Sequence, residues 1–172
     1  MTEMTDQDNV IDHFELGNIA MQDNRLDAAI AEFKEALKSN AEFAEAYNNM
    51  GLALFNQSRF DEAIEEFRNA LRIEPDFPLA HANLGLVLLN KELVDEAIEE
   101  LTRAISLNVE IAEAYYNLGI AYNKKGLVNE TIKAYEGFIQ HAGESYHNYV
   151  EGVQKIVSQL KGRTSTSITS QP

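Results

Sequence analysis

The sequence contains no cysteine, so neither a disulfide framework nor a thiolate metal site can be built from it. Basic residues are scarce: Lys and Arg total 14 against 28 Asp and Glu, a formal net charge of −14. Nucleic-acid binding rests largely on cations that neutralise phosphates, and no basic stripe is present. The same balance disfavours a role on anionic membrane surfaces. Long apolar runs are missing too; the longest, Leu86-Val87-Leu88-Leu89, is far too short to cross a bilayer. The opening residues, Met1-Thr2-Glu3-Met4-Thr5-Asp6, have neither the basic start nor the apolar stretch of a secretory signal, which gives the expectation of a soluble, cytoplasmic protein. No phosphate-binding glycine loop and no nucleophile elbow occur.

Apolar residues nevertheless make up 45% of the 172 positions, with 8 Phe and 7 Tyr, enough for a sizeable core. They are periodic. Phe14-Glu15-Leu16-Gly17, Asn48-Asn49-Met50-Gly51, Ala82-Asn83-Leu84-Gly85 and Tyr116-Asn117-Leu118-Gly119 place a glycine every 34 residues. Further columns keep the register: Ala29, Ala63, Ala97 and Thr131; Ile30, Ile64, Ile98 and Ile132; Phe33, Phe67, Leu101 and Tyr135; Ala36, Ala70, Ala104 and Phe138. Each copy reads as two helices. Asp27, Asp61, Asp95 and Asn129 are expected to cap the second one. The turns before them hold Asn24-Arg25, Ser58-Arg59 and Lys125-Gly126, while Pro75 alone marks the turn after a second helix strongly. The glycine column is expected to face the alanines Ala29, Ala63 and Ala97 where paired helices cross. The larger columns are expected to fill the space between hairpins, which cannot bury their apolar faces singly.

These columns resemble the tetratricopeptide repeat family over residues 10 to 143. The resemblance implies an all-α, right-handed superhelix, an α-α solenoid of four helix hairpins at 10–43, 44–77, 78–111 and 112–143. After it, Tyr146, Tyr149, Val150, Val153, Ile156, Val157 and Leu160 recur at steps of three and four, which predicts a C-terminal capping helix over 144–161, with a partner-binding helix as the alternative. Residues 1–9 and 162–172 are polar and read as disordered tails.

The resemblance also implies a concave groove lined by the first helix of each repeat, holding a peptide or partner domain. On the matching positions stand Asn49, Asn83 and Asn117, with Glu15 in the first repeat. Helices stacked side by side lie about 10 Å apart, so this column resembles the asparagine ladder with which some family members hold an extended backbone, an amide being both donor and acceptor. Leu52, Leu86 and Ile120, then Phe55 and Leu89, belong to the same face. Asn48 and Tyr116 flank the ladder, and Asn18 heads the Leu52 column. The alternative for each is an ordinary packing role.

A mostly uncharged protein or peptide partner suits such a strip. Chaperone-binding relatives clamp a C-terminal carboxylate with Lys, Arg and Asn. Asn18 and Asn49 match, but Phe14, Leu79 and Asn83 stand where cations are needed. One repeat on, Asn48, Leu52, Asn83, Glu113 and Asn117 fail as well. Charge-assisted bonds are roughly twice as strong as neutral ones, so acidic chaperone tails are disfavoured.

Glu62, Glu65, Glu66, Glu96, Glu99 and Glu100 fall on second helices, either as a solvated face or as a docking surface for a basic partner. His13 and His81 share a packing column with Tyr47 and Tyr115, and His141 and His147 bracket a loop. No metal and no cofactor are expected. The leading expectation is a non-catalytic adaptor or scaffold. The alternatives are a regulatory or substrate-recruiting subunit of an enzyme complex, and a homo-oligomeric structural protein.

Overall fold

The structure is a computed structural model that describes the backbone of residues 6–169 and the side chains of residues 10–163. Among the described residues there are nine α-helices, one short 3-10 turn and no strand. The first hairpin pairs α1 (Asp6–Gln22) with α2 (Leu26–Ser39). The second pairs α3 (Ala44–Asn56) with α4 (Phe60–Ile73), and the third α5 (Pro78–Asn90) with α6 (Val94–Leu107). The fourth pairs α7 (Ala112–Lys124) with α8 (Val128–His141). A 3-10 turn (Glu144–Tyr146) then leads into α9 (His147–Thr169). Helices α3, α5 and α7 are all 13 residues long, and α2, α4, α6 and α8 all 14, as a fixed repeat requires. No described helix is long and apolar enough to cross a membrane.

The outer boundaries differ from expectation. Helix α1 begins at Asp6, not at residue 10, and α9 runs to Thr169, past the expected end at 161. The rest of the two expected tails, 1–5 and 170–172, lies outside the described residues.

One backbone device closes every first helix. Asn24, Ser58, Glu92 and Gly126, one per repeat, take positive φ values of 56°, 60°, 61° and 71°. The next residue then donates its N–H five residues back: Arg25 to Ala20 at 2.8 Å, Arg59 to Leu54 and Leu93 to Leu88 at 2.9 Å, Leu127 to Tyr122 at 3.0 Å. This is the Schellman arrangement, whose left-handed residue suits Gly or Asn best. Those same next residues are the N-caps of the second helices, and none makes a side-chain capping bond. The expected caps Asp27, Asp61, Asp95 and Asn129 therefore lie inside the first turn. Three of them bridge repeats instead: Asp27 accepts from Gln57 at 2.8 Å, Asp61 from Lys91 and Asp95 from Lys125. The turns after second helices also have markers besides Pro75. Asn40 and Asn108 accept the N–H of Glu42 at 3.0 Å and of Glu110 at 2.9 Å, an Asx turn in each case.

The glycine column faces the large column before the alanines; the Ala97 carbonyl, 3.3 Å from a Cβ on Gly85, is the one alanine atom among the nearest contacts. A Cβ on Gly17, Gly51, Gly85 or Gly119 would come within 2.5, 2.8, 2.6 or 2.4 Å of Phe33, Phe67, Leu101 or Tyr135. The large column thus seats on glycine within its own hairpin. Ala29, Ala63, Ala97, Ala36, Ala70 and Ala104 are fully buried. Thr131 replaces the fourth alanine without an orphaned hydroxyl, because Oγ1 donates to the Leu127 carbonyl at 2.8 Å.

The core has two parts. One runs from Ala20 to Ala134, and the other joins Ala112, Ile132, Tyr135 and Phe138 to Val153 and Val157 of α9. Val153 and Val157 are buried, with Val150 and Leu160 half-buried beside them. Tyr149 and Ile156, expected inside, are exposed on the flank of that stripe.

Candidate functional site

The first helices α1, α3, α5 and α7 lie in a row and present one face each. Asn18, Asn49, Asn83 and Asn117 are half-buried on it, as are Leu52, Leu86 and Ile120. Asn48 is only 4% exposed and Leu89 only 6%, so both belong beneath the surface; Leu89 is part of the main core. Phe55 is half-buried and packs on Phe60 at a ring separation of 5.7 Å.

The asparagines do not stand apart as rungs. Asn83 Nδ2 donates to Asn48 Oδ1 at 2.9 Å, Asn48 Nδ2 to Asn49 Oδ1 at 3.1 Å, and Asn49 Nδ2 to Asn18 Oδ1 at 2.8 Å. A chain of four amides therefore crosses α5, α3 and α1. Asn48, which sequence places beside the ladder, is its central link. Once buried it needs both neighbours, since an unsatisfied polar group costs about 1–3 kcal/mol. Asn117 is outside the chain: no hydrogen bond among the described residues engages its side chain, and none engages Asn83 Oδ1.

The face continues beyond the expected residues. Ile11, Glu45, Leu79 and Glu113 form a column one helical turn before Glu15, Asn49, Asn83 and Asn117, with Leu79 52% exposed. Extending the columns by one turn would have found them. At the C-terminal end, Leu86, Glu113, Tyr116, Asn117, Phe138, Tyr146 and Tyr149 line a cleft of about 200 Å³. Glu113, Phe138, Tyr146 and Tyr149 were absent from the expected site, because the tyrosines read as part of the cap's buried stripe. The Tyr146 hydroxyl donates to Glu113 Oε1. That bond, with smaller contributions from burial and nearby charge, pushes the Tyr146 pKa up to about 12.

The acids of the second helices are mostly exposed, and several are paired. Arg59 holds Glu62 through two bonds of 2.7 and 2.5 Å, and Arg68 reaches Glu96 at 3.4 Å. The depression on that side, bounded by Asp61, Glu65, Arg68, Lys91 and Glu96, mixes both signs of charge.

The histidines have structural partners. His13 meets Glu32 at 2.7 Å, and His81 meets Glu100 at 2.6 Å and the Pro75 carbonyl at 2.9 Å. Burial works against a charged His81, but the bonds to Glu100 and Pro75 outweigh it and raise its pKa above the ordinary value. His141 stacks on Tyr115 at 5.3 Å. Among the described residues no group of three or more His, Cys, Asp or Glu side chains could hold a metal ion.

Comparison with known proteins agrees with this geometry. A family model for the tetratricopeptide repeat matches residues 14–78 and 49–107, and two further models for the same repeat match 94–126 and 113–145. No curated protein matches the sequence. Among solved structures the chain is similar to a MamA protein, with 23% identity and a TM-score of 0.77 over 95% of this chain and 88% of that one. It is also similar to YrrB, described as a TPR protein with an unusual peptide-binding site, with 23% identity and a TM-score of 0.70 over 87% and 76%. A third is the first TPR of Spaghetti (RPAP3) bound to the HSP90 peptide SRMEEVD, with 17% identity and a TM-score of 0.68 over 73% and 99%. At these identities the likeness is one of fold.

Proposed function

The chain belongs to the tetratricopeptide repeat family, and from that premise we propose that it is a non-catalytic interaction module holding a segment of a partner protein along its concave face. The observation that carries the reading is the combination on one face of half-buried Leu52, Leu86 and Ile120 with the unengaged polar atoms of Asn83 and Asn117. Apolar side chains of a mostly uncharged segment would rest on the leucine strip while its backbone meets the free amides. Asn48 and Leu89 support the face from below without touching the ligand. Asn18 and Asn49 contribute to the surface chiefly by holding each other. YrrB and Spaghetti, whose descriptions name peptide binding, lend support. The acidic peptide of the latter is not the class proposed here, since Phe14, Leu79 and Asn83 leave no cations at the matching places. Cytoplasmic location is part of the same reading, and cell fractionation checks it.

The experiment is site-specific photo-crosslinking in native lysate, with the crosslinker at position 86 on the concave side or at position 65 on the second helices. Adducts from position 86, lost when Leu52 and Ile120 are both changed to Glu, support the groove. Adducts from position 65 alone would move the docking site to the acidic side. For a segment so identified, Asn117→Ala should weaken binding about 2- to 12-fold, the effect of one neutral hydrogen bond.

A specific observation favours one further reading. Ile11, Leu16 and Ile19 on α1 are each about half exposed, apolar residues of the first helix left open to that extent among the described residues. Self-association through α1 would cover them. Light scattering that shows a monomer at all concentrations would dismiss that reading.

A further inference from the structure

The regular stacking of the array fails at one place. Helix α5 packs along α7, as α3 does along α5, but the described backbone of α9 does not come as close to α7; α9 rests on α8, and the Tyr149 ring reaches Tyr116 across the gap. The wedge this leaves is walled by aromatic rings. Going round it, Tyr116 and Phe138 lie 5.3 Å apart, Phe138 and Tyr146 5.8 Å, Tyr146 and Tyr149 6.4 Å, and Tyr149 and Tyr116 6.4 Å. The interplanar angles run from 56° to 79°, so the rings stand as walls and do not stack into the space. Inside is the cleft of about 200 Å³, with the Glu113 carboxylate and the unengaged Asn117 amide in its lining and no basic side chain.

We propose that this cleft receives the side chain of a lysine or arginine carried by the bound segment. Aromatic faces are electron-rich and attract a cation within about 6 Å of a ring centre. An ionised carboxylate has about four acceptor positions. The Tyr146 hydroxyl takes one of those on Glu113, which fixes the carboxylate in place and leaves the others for an ammonium or guanidinium. Tyr146 stays a neutral donor throughout the physiological range, its pKa being about 12. An anion would meet Glu113 and a chain of net charge −14, and finds no cation in the lining. A purely apolar side chain would leave the carboxylate's remaining acceptor positions unused, with the Tyr146 hydroxyl still bonded to it. The inference rests on the concave-face reading and sharpens it: an otherwise uncharged segment with one basic residue near the C-terminal end of the groove.

The test uses the full chain and three probes: N-acetyl-lysine N-methylamide, its arginine counterpart and its norleucine counterpart. Binding is followed by NMR shifts of the Tyr146, Tyr149 and Glu113 signals. The two cationic probes should shift them saturably and norleucine should not. Tyr149→Ala and Glu113→Gln should each weaken the cations about 3- to 30-fold. Tyr149 is 60% exposed, so its loss leaves the fold intact, which a melting curve verifies. Equal binding of norleucine, no saturable shift with either cation, or an undiminished affinity in Glu113→Gln would overturn the proposal. If neither cation binds while crosslinks from position 86 persist, this inference falls and the groove reading stands. If the cations bind but those crosslinks never form, the cleft stands and the groove reading falls.

Discussion

The two ends of the concave face are built from the same repeat and do opposite things with it. Towards the N-terminus, Asn18, Asn49, Asn48 and Asn83 spend their hydrogen bonds on one another and tie α1, α3 and α5 together. Towards the C-terminus, Asn117 has no such neighbour, and the aromatic rings around it enclose space. The same residue type is thus hydrogen-bonded to its neighbours in one half and without a partner among the described side chains in the other. The difference comes from the residues one position before the column. Asn48 supplies the bridging amide, whereas Ala82 and Tyr116 at the equivalent positions supply none.

The most drastic way to break the comparison is to remove the element that shapes only the C-terminal half. Deleting residues 144–172 strips Val153 and Val157 from Ile132, Tyr135 and Phe138. Each such valine contributes about 1.5–3 kcal/mol. At about 2–4 °C per kcal/mol for a chain of this size, melting should fall by about 10 °C or more, followed by circular dichroism. A chain that melts normally after the deletion would mean α9 does not cap the array.

Next in size are substitutions that show the halves share one framework. Gly51→Ala and Gly119→Ala push a methyl against Phe67 and Tyr135 respectively. Overpacking costs about 1–3 kcal/mol and outweighs the gain of up to about 1 kcal/mol from replacing a helical glycine. Both should lose up to about 2 kcal/mol in urea unfolding, and alike. A large loss at one glycine only would show that the halves are packed differently.

A pH series sharpens the middle of the array. The pKa of His81 is raised in the folded state, so its bonds to Glu100 and Pro75 stabilise most fully below the ordinary value of 6.5. That contribution fades as pH rises through the higher folded value. The stability gap between the wild type and His81→Gln should therefore be widest in mild acid and narrow in mild alkali. A gap that widens with pH would contradict the assignment. The smallest effect is expected at the inter-repeat ion pair of Lys91 and Asp61, where Asp61 is highly exposed. Lys91→Ala should cost no more than about 1 kcal/mol, and less in high salt.

The repeat register, the hairpins and most of the concave columns were legible in the sequence because small and large positions recur every 34 residues. What glycine faces was not: Gly17 and Ala29 are both small, and only the crossing of the helices shows that Phe33 occupies the gap. Asp27, Asp61 and Asp95 looked like caps because they precede an apolar run. The Schellman turn puts the N-cap two residues earlier, at Arg25, Arg59 and Leu93, which places the aspartates inside the helix. The amide chain and the aromatic cleft were hidden for another reason. The amide chain depends on the distance between neighbouring first helices and the cleft on how α9 sits against α8, and no residue pattern within one helix encodes either. Tyr149 fits the cap's stripe by spacing and is still largely exposed, at the edge of the aromatic cleft, because α9 turns towards α8.

The central claim, that the asparagine column is structural at one end and free at the other, is tested most directly by unfolding Asn49→Ala and Asn117→Ala side by side in urea. Asn49→Ala deprives the buried Asn48 amide of its acceptor and should cost about 1–3 kcal/mol. Asn117→Ala breaks no internal bond and should stay within about 0.5 kcal/mol of the wild type. Equal losses, or a larger loss at Asn117, would contradict the account.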